Sequence, residues 1–311
     1  MDNRILGLHH ITAIAGNAKR NLQFYTEVLG LRMVKKTVNF DDPGTYHFYF
    51  GDEVGTPGTI LTFFPWEGIG RGSIGTGMAT DIGYSVLENS LEFWRERFAQ
   101  YHVKYGDELE RFGEKVLPFQ DPDGLQLELI ISTKTDTRKP WETGDVKAQV
   151  ATRGFHSVTL TLKSVDQTAS VLTDILGYSL YKQEGNRYRF VTDAIDNASV
   201  VDILELPTLA PGRGAAGTNH HVAFRVKDDG VLMEFREKVV AKGLGITPKI
   251  DRDYFFSLYF REPGGVLFEL ATDNPGFMRD EPKDQLGTNL KLPKQYESAR
   301  AEIERILPSL Q

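Results

Sequence analysis

The chain contains no cysteine. That excludes disulfides, a thiolate metal site and a cysteine nucleophile. No stretch approaches the ~18 consecutive apolar residues of a membrane-spanning helix, and no cluster of lysine and arginine stands out. The net charge is −7. Neither nucleic acid nor a membrane is therefore an expected partner, and acidity of this size serves solubility. The opening residues, MDNRILGLHH, lack the apolar run and small-residue cleavage site of a signal peptide. Together with the missing cysteines, this predicts a cytoplasmic protein. What remains is ordinary globular composition, 40% hydrophobic and 25% charged over 311 residues, enough for one large core or two domains.

The chain repeats itself. GLHHITAI (7–14), GFHSVTLT (154–161) and NHHVAFRV (219–226) read as strands. The first two lead into amphipathic stretches, NLQFYTEVLGL and TASVLTDILGY, whose helices would end at the cap glycines Gly30 and Gly177. FQDPDGLQLELI, from Phe119, and FREPGGVLFELA, from Phe260, each read as strand, tight turn, strand. Four units of about 60 to 75 residues result, starting near residues 5, 80, 153 and 218. Each runs strand, helix, then about three strands. The expected organisation is an N-terminal domain of modules one and two (1–135), a polar linker (136–152), a C-terminal domain of modules three and four (153–275), and a tail with a short helix (276–311).

Paired histidines head two of these strands, and neighbours on a strand face opposite ways. His10 shares a face with Thr12, and His221 occupies the matching place in HHVAF. Glu269, between Phe268 and Leu270, is costly to bury unless paired or bound to a metal. Two imidazoles and one carboxylate from separate strands make a facial triad with three adjoining positions open. The donors suit Fe(II) or Mn(II), and ligand type alone does not exclude zinc. In modules two and three, Asp81, Ser157 and Glu128 hold the corresponding places. That set has no histidine, so a second transition-metal site is not expected.

Four βαβββ units, the DPDG and EPGG turns and the strand-head histidines resemble the vicinal oxygen chelate superfamily, which includes glyoxalase I, fosfomycin-resistance proteins and type I extradiol dioxygenases. The resemblance spans about residues 5–275 and implies an α+β fold of four βαβββ modules paired into two tandem half-open barrel domains. LYFREPGGVLFE (258–269) is similar to the extradiol dioxygenase signature, with one departure. Arg252 stands where catechol-cleaving members carry an acid/base histidine, and an arginine is always protonated. That pattern resembles hydroquinone 1,2-dioxygenases.

The resemblance implies Fe2+ (or Mn2+) on His10, His221 and Glu269, with a small aromatic substrate and dioxygen as partners. It implies opening of a hydroquinone next to a hydroxylated carbon, both oxygen atoms entering the product. Arg252 would hold an anionic oxygen and Tyr259 would donate to a phenolate. Thr12, His9 and His220 would support the site, the last two only if a twist or bulge turns them from the wrong face. Homo-oligomers are common in such a family. The alternatives are catechol cleavage and a redox-silent lyase or transferase of the same superfamily; a drug-sequestering binder would lack the three ligands.

Overall fold

The computed structural model describes residues 3–311. Module one comprises β1 (Leu8–Ala15), α1 (Ala18–Gln23), β2 (Arg32–Val38), β3 (Tyr46–Gly51) and β4 (Ile60–Pro65). Module two comprises β5 (Met78–Val86), α2 (Leu91–Gln100), β6 (Leu109–Arg111), β7 (Glu114–Gln120) and β8 (Gln126–Ile131). Module three comprises β9 (Phe155–Leu162), α3 (Asp166–Ser170), β10 (Ser179–Glu184), β11 (Arg187–Val191) and β12 (Val200–Glu205). Module four comprises β13 (Thr218–Val226), α4 (Asp229–Ala241), β14 (Ile250–Asp251), β15 (Phe255–Arg261) and β16 (Leu267–Pro275). The helices α1 and α3 each continue as a π-helical turn and stop at Gly30 and Gly177, whose φ of 68° and 73° suit glycine.

The strands form two curled eight-stranded half-barrels, so the fold is α+β and built from four βαβββ modules. The choice of partners differs from expectation. One sheet runs β14-β15-β16-β13-β1-β4-β3-β2 and joins modules one and four. The other runs β10-β11-β12-β9-β5-β8-β7-β6 and joins modules two and three. Each half-barrel closes where two first strands meet antiparallel, β1 on β13 and β5 on β9. All four first strands offer similar edges, so the repeats alone do not choose among them. The route of the chain does. Two glycine-rich connections, 66–77 and 206–217, carry it between sheets and run side by side, bridging at Arg71 with Ala216 and Ser73 with Arg213. A Cβ on Gly75 would lie 2.4 Å from the Ala210 carbonyl oxygen, so this crossing needs glycine.

Beyond β16, the tail lies along the edge of β2. The Lys291 N–H donates to the Lys36 carbonyl at 2.9 Å. The terminal helix α5 (Arg300–Ile306) buries Ile303 against Val38, outside the sheet. Among the described residues, no helix is long and apolar enough to cross a membrane.

Candidate metal centre

His10, His221 and Glu269 come from β1, β13 and β16, three adjacent strands of the first sheet. Nε2 of His10 and of His221 lie 3.1 and 2.9 Å from Glu269 Oε2, and 3.4 Å from each other. All three residues are buried. They form the one such group of histidine and carboxylate ligands among the described residues. Glu269 Oε1 accepts from the Ser257 hydroxyl, whereas the buried Oε2 receives no hydrogen bond among the described residues. Two nitrogens and one oxygen thus converge on a point with lone pairs to offer, as a metal ion requires.

The doubled histidines are explained by two β-bulges. Between Leu8 and His10, β1 advances two residues while β13 advances one, from Phe224 to Ala223, so His9 is the extra residue. Between His221 and Asn219, β13 advances two while β1 advances one, so His220 is the extra residue there. A bulge re-aims side chains, and each extra histidine is brought against its neighbour. His9 Nδ1 lies 2.9 Å from His10 Nδ1, and His220 Nδ1 lies 2.8 Å from His221 Nδ1.

The first of these contacts sets a tautomer. His9 Nε2 is 3.1 Å from the Thr272 carbonyl, which can only accept, so Nε2 carries hydrogen. Burial, and then the neighbouring His10, keep the His9 pKa well below its ordinary value, so the ring is neutral and Nδ1 is bare. His10 therefore donates from Nδ1, which leaves its Nε2 lone pair aimed at Glu269. Replacing His9 with leucine removes this orientation while keeping every candidate ligand. Metal affinity, measured by competition with a chelating dye, is expected to fall about 10- to 100-fold. An unchanged affinity would contradict the tautomer assignment.

The rest of the sequence-derived set surrounds the same place. His10, Thr12, His220, His221, Arg252 and Tyr259 all line one cleft. Its volume is about 300 Å³, roughly twice the ~150 Å³ cavity that holds a benzene. His9 stands behind His10, its ring centroid 5.2 Å from that of Phe255. Tyr259 sits directly across the β15–β16 ladder from Glu269. Arg252 Nε donates to the Tyr259 hydroxyl at 3.3 Å, and Arg252 Nη1 lies 3.5 Å from Asp41. Burial opposes the Arg252 charge, but Tyr259 and Asp41 raise its pKa above the ordinary value. Burial and Glu269 push the Tyr259 hydroxyl upward, so it stays a neutral donor.

Sequence reasoning missed His47, Tyr49 and the aromatic walls Phe40, Phe64 and Trp66. The signal was present in YHFYF: alternation places His47 and Tyr49 on one face of β3, away from Phe48 and Phe50.

The second half-barrel shows the corresponding place without histidines. There the Arg111 guanidinium grips both oxygens of Glu128, at 2.6 and 2.9 Å. The repeat offset that carries Phe119 to Phe260 carries Arg111 to Arg252 and Glu128 to Glu269. A guanidinium therefore fills one site, while in the other the equivalent arginine donates to the hydroxyl of Tyr259, where module two has Pro118.

Comparison with known proteins agrees with this architecture. The family model of the Glyoxalase/Bleomycin resistance protein/Dioxygenase superfamily matches residues 7–129 and 154–270. The chain is 45% identical over 309 residues to MhqO of Bacillus subtilis (strain 168), provisionally named a ring-cleaving dioxygenase, covering 99% of this chain and 98% of that one. It is 36% identical over 315 residues to the chlorohydroquinone/hydroquinone 1,2-dioxygenase of Sphingobium indicum (strain DSM 16413 / CCM 7287 / MTCC 6362 / UT26 / NBRC 101211 / UT26S), covering 99% and 97%. A crystal structure of a provisionally assigned dioxygenase from Bacillus subtilis subsp. subtilis str. 168 superposes with a TM-score of 0.95 at 44% identity, over 99% of this chain and 98% of that one. The chain belongs to the glyoxalase/bleomycin resistance protein/dioxygenase superfamily and, within it, to the ring-cleaving dioxygenases.

Proposed function

We propose that the protein is an Fe(II)-dependent dioxygenase that opens a hydroquinone ring next to a hydroxylated carbon, with His10, His221 and Glu269 as the metal ligands. The observation that carries the reading is the buried triad itself, whose Oε2 has no hydrogen bond among the described residues, beside a cleft that His10 and His221 line together with aromatic side chains. Iron(II) bound there would supply the redox chemistry that joins an aromatic ring to dioxygen. The protein's own groups do the rest. Phe40, Phe64, Trp66 and Phe255 present flat apolar surface to a ring and exclude water from it.

Arg252, charged at every accessible pH, is the partner for an oxygen that becomes anionic. It reaches into the cleft beside Tyr259, whose hydroxyl donates to the same region. An arginine cannot take a proton from the second hydroxyl of a catechol, which favours a hydroquinone. The name of the Sphingobium relative supports the same substrate class. A cytoplasmic location and Fe(II) in preference to Mn(II) belong to this proposal.

The test is anaerobic reconstitution with Fe(II), followed by oxygen uptake on methylhydroquinone, chlorohydroquinone and catechol. Uptake on the hydroquinones, and little on catechol, is expected. Uptake on catechol alone would contradict the role given to Arg252. No uptake with stoichiometric metal would contradict the dioxygenase reading and favour a redox-silent lyase or transferase.

A further inference from the structure

One buried histidine in the cleft is neither a candidate metal ligand nor a neighbour of one along the chain. His47, on β3, is 8% exposed, and both of its ring nitrogens are engaged. Nδ1 lies 3.0 Å from the Tyr49 hydroxyl, and Nε2 lies 2.9 Å from Thr62 Oγ1. Thr62, on β4, is in turn 2.8 Å from Thr12 Oγ1. Thr12 is two residues from His10 on β1 and lines the cleft. The four side chains make three links: Tyr49 to His47, His47 to Thr62, Thr62 to Thr12.

The hydrogens can be counted. Burial, and then the nearby His10 and His221, hold His47 neutral, with a pKa well below the ordinary value. A neutral imidazole brings one N–H, and the three hydroxyls bring one hydrogen each. Four hydrogens serve three links, so one is left at an end of the chain. Tyr49 is 1% exposed, its ring packs against those of Tyr254, Phe255 and Phe277, and among the described residues His47 Nδ1 is the one hydrogen-bond partner of its hydroxyl. A hydroxyl hydrogen left there would be buried unpaired, at a cost. The Tyr49 O–H therefore donates to Nδ1, the His47 N–H sits on Nε2 and donates to Thr62, and Thr62 donates to Thr12. The spare hydrogen is on Thr12, beside the triad.

We infer that Tyr49, His47 and Thr62 form a hydrogen-bond chain of fixed direction, with His47 as its positioning residue, that presents the Thr12 hydroxyl as a donor to an anionic oxygen of the aromatic substrate bound at the triad. The inference rests on the reading of this cleft as the substrate site. It gives the site a donor from module one, opposite in the sheet to Arg252 and Tyr259 of module four. Such a donor favours a phenolate over an uncharged ring of the same shape.

Two measurements test it. The first is the nitrogen chemical shifts of His47 in zinc-loaded protein labelled on histidine. Hydrogen on Nε2 is expected; hydrogen on Nδ1 reverses the chain and overturns the inference. The second is binding of 4-nitrophenolate and of 4-nitrotoluene to zinc-loaded protein, where no turnover occurs. Thr62→Val, which keeps shape and removes the hydroxyl, is expected to weaken 4-nitrophenolate about 10-fold. Binding of 4-nitrotoluene should be unchanged, and Thr62→Ser should restore the phenolate affinity. Equal weakening of both compounds would mean a merely structural role and would overturn the inference, as would no weakening. If the wild-type protein binds neither compound while holding zinc, the failure lies in the reading of the cleft, and the inference falls with it. The shift measurement on the wild type separates the two failures.

Discussion

Glu269→Gln should bind Fe(II) more than about 100-fold more weakly than the wild type, and lose oxygen uptake with it, while folding normally. Loss of a group that merely orients a ligand costs about 10- to 100-fold, and a ligand itself costs more. Glutamine keeps the shape of the side chain and can still accept from Ser257, the partner of Oε1. What changes is the other atom. An amide NH2 in place of Oε2 puts hydrogens where two imidazole Nε2 atoms lie 2.9 and 3.1 Å away. Those nitrogens then become acceptors of an amide and are no longer free for a metal. The substitution also removes a fully buried charge. The metal-free variant should therefore melt no lower than the metal-free wild type. Chelator competition and thermal melting check the two halves. Retained iron affinity would show that Glu269 is not a ligand.

The second large effect lies away from the metal. Lys35→Met is expected to destabilise the protein by about 3–5 kcal/mol, the cost of stranding a buried charge. Lys35 is fully buried on β2, and its ammonium lies against Glu281, which is 1% exposed, and 2.6 Å from Asp280. It also sits 4.8 Å from the centre of the Tyr254 ring. Methionine fills the space but leaves the Glu281 carboxylate buried, with one oxygen that has no hydrogen-bond partner among the described residues. The double variant Lys35→Met/Glu281→Gln should recover most of the loss. Urea unfolding measures both; a loss below about 1 kcal/mol for the single variant would place this pair among weak surface bridges. The effect should extend to the cleft, because Tyr254 donates to Asp280 at 3.0 Å and packs beside Tyr49.

How much of this was legible beforehand follows from what each feature depends on. The modules were legible because alternation, helix spacing and the Pro-Gly turns are local. His10, His221 and Glu269 could be brought together because each sits at a matching place in a repeat. For His9 and His220 the sequence showed only that a twist or bulge would be needed, not that the bulges exist. Strict alternation sends them to the wrong face, and a bulge is a property of two paired strands, seen only once Leu8 opposes Phe224 and Thr12 opposes His221. The triad already drew its residues from modules one and four, but the single sheet that joins them was hidden for the same reason, since it is decided by crossing loops that meet only in three dimensions. Arg111 and Glu128 illustrate the converse. Their match to Arg252 and Glu269 was in the sequence, but the guanidinium in place of a metal becomes evident only from the bidentate contact.

The reading of this cleft as a ring-opening site is tested most directly by one turnover of Fe(II)-loaded protein on methylhydroquinone under 18O2, followed by mass spectrometry of the product. The expected product is ring-opened and heavier than the substrate by one dioxygen, with label incorporated, and none should form from protein carrying Glu269→Gln. Methylbenzoquinone without label, formed with consumption of oxygen, would mean simple oxidation and would contradict that reading.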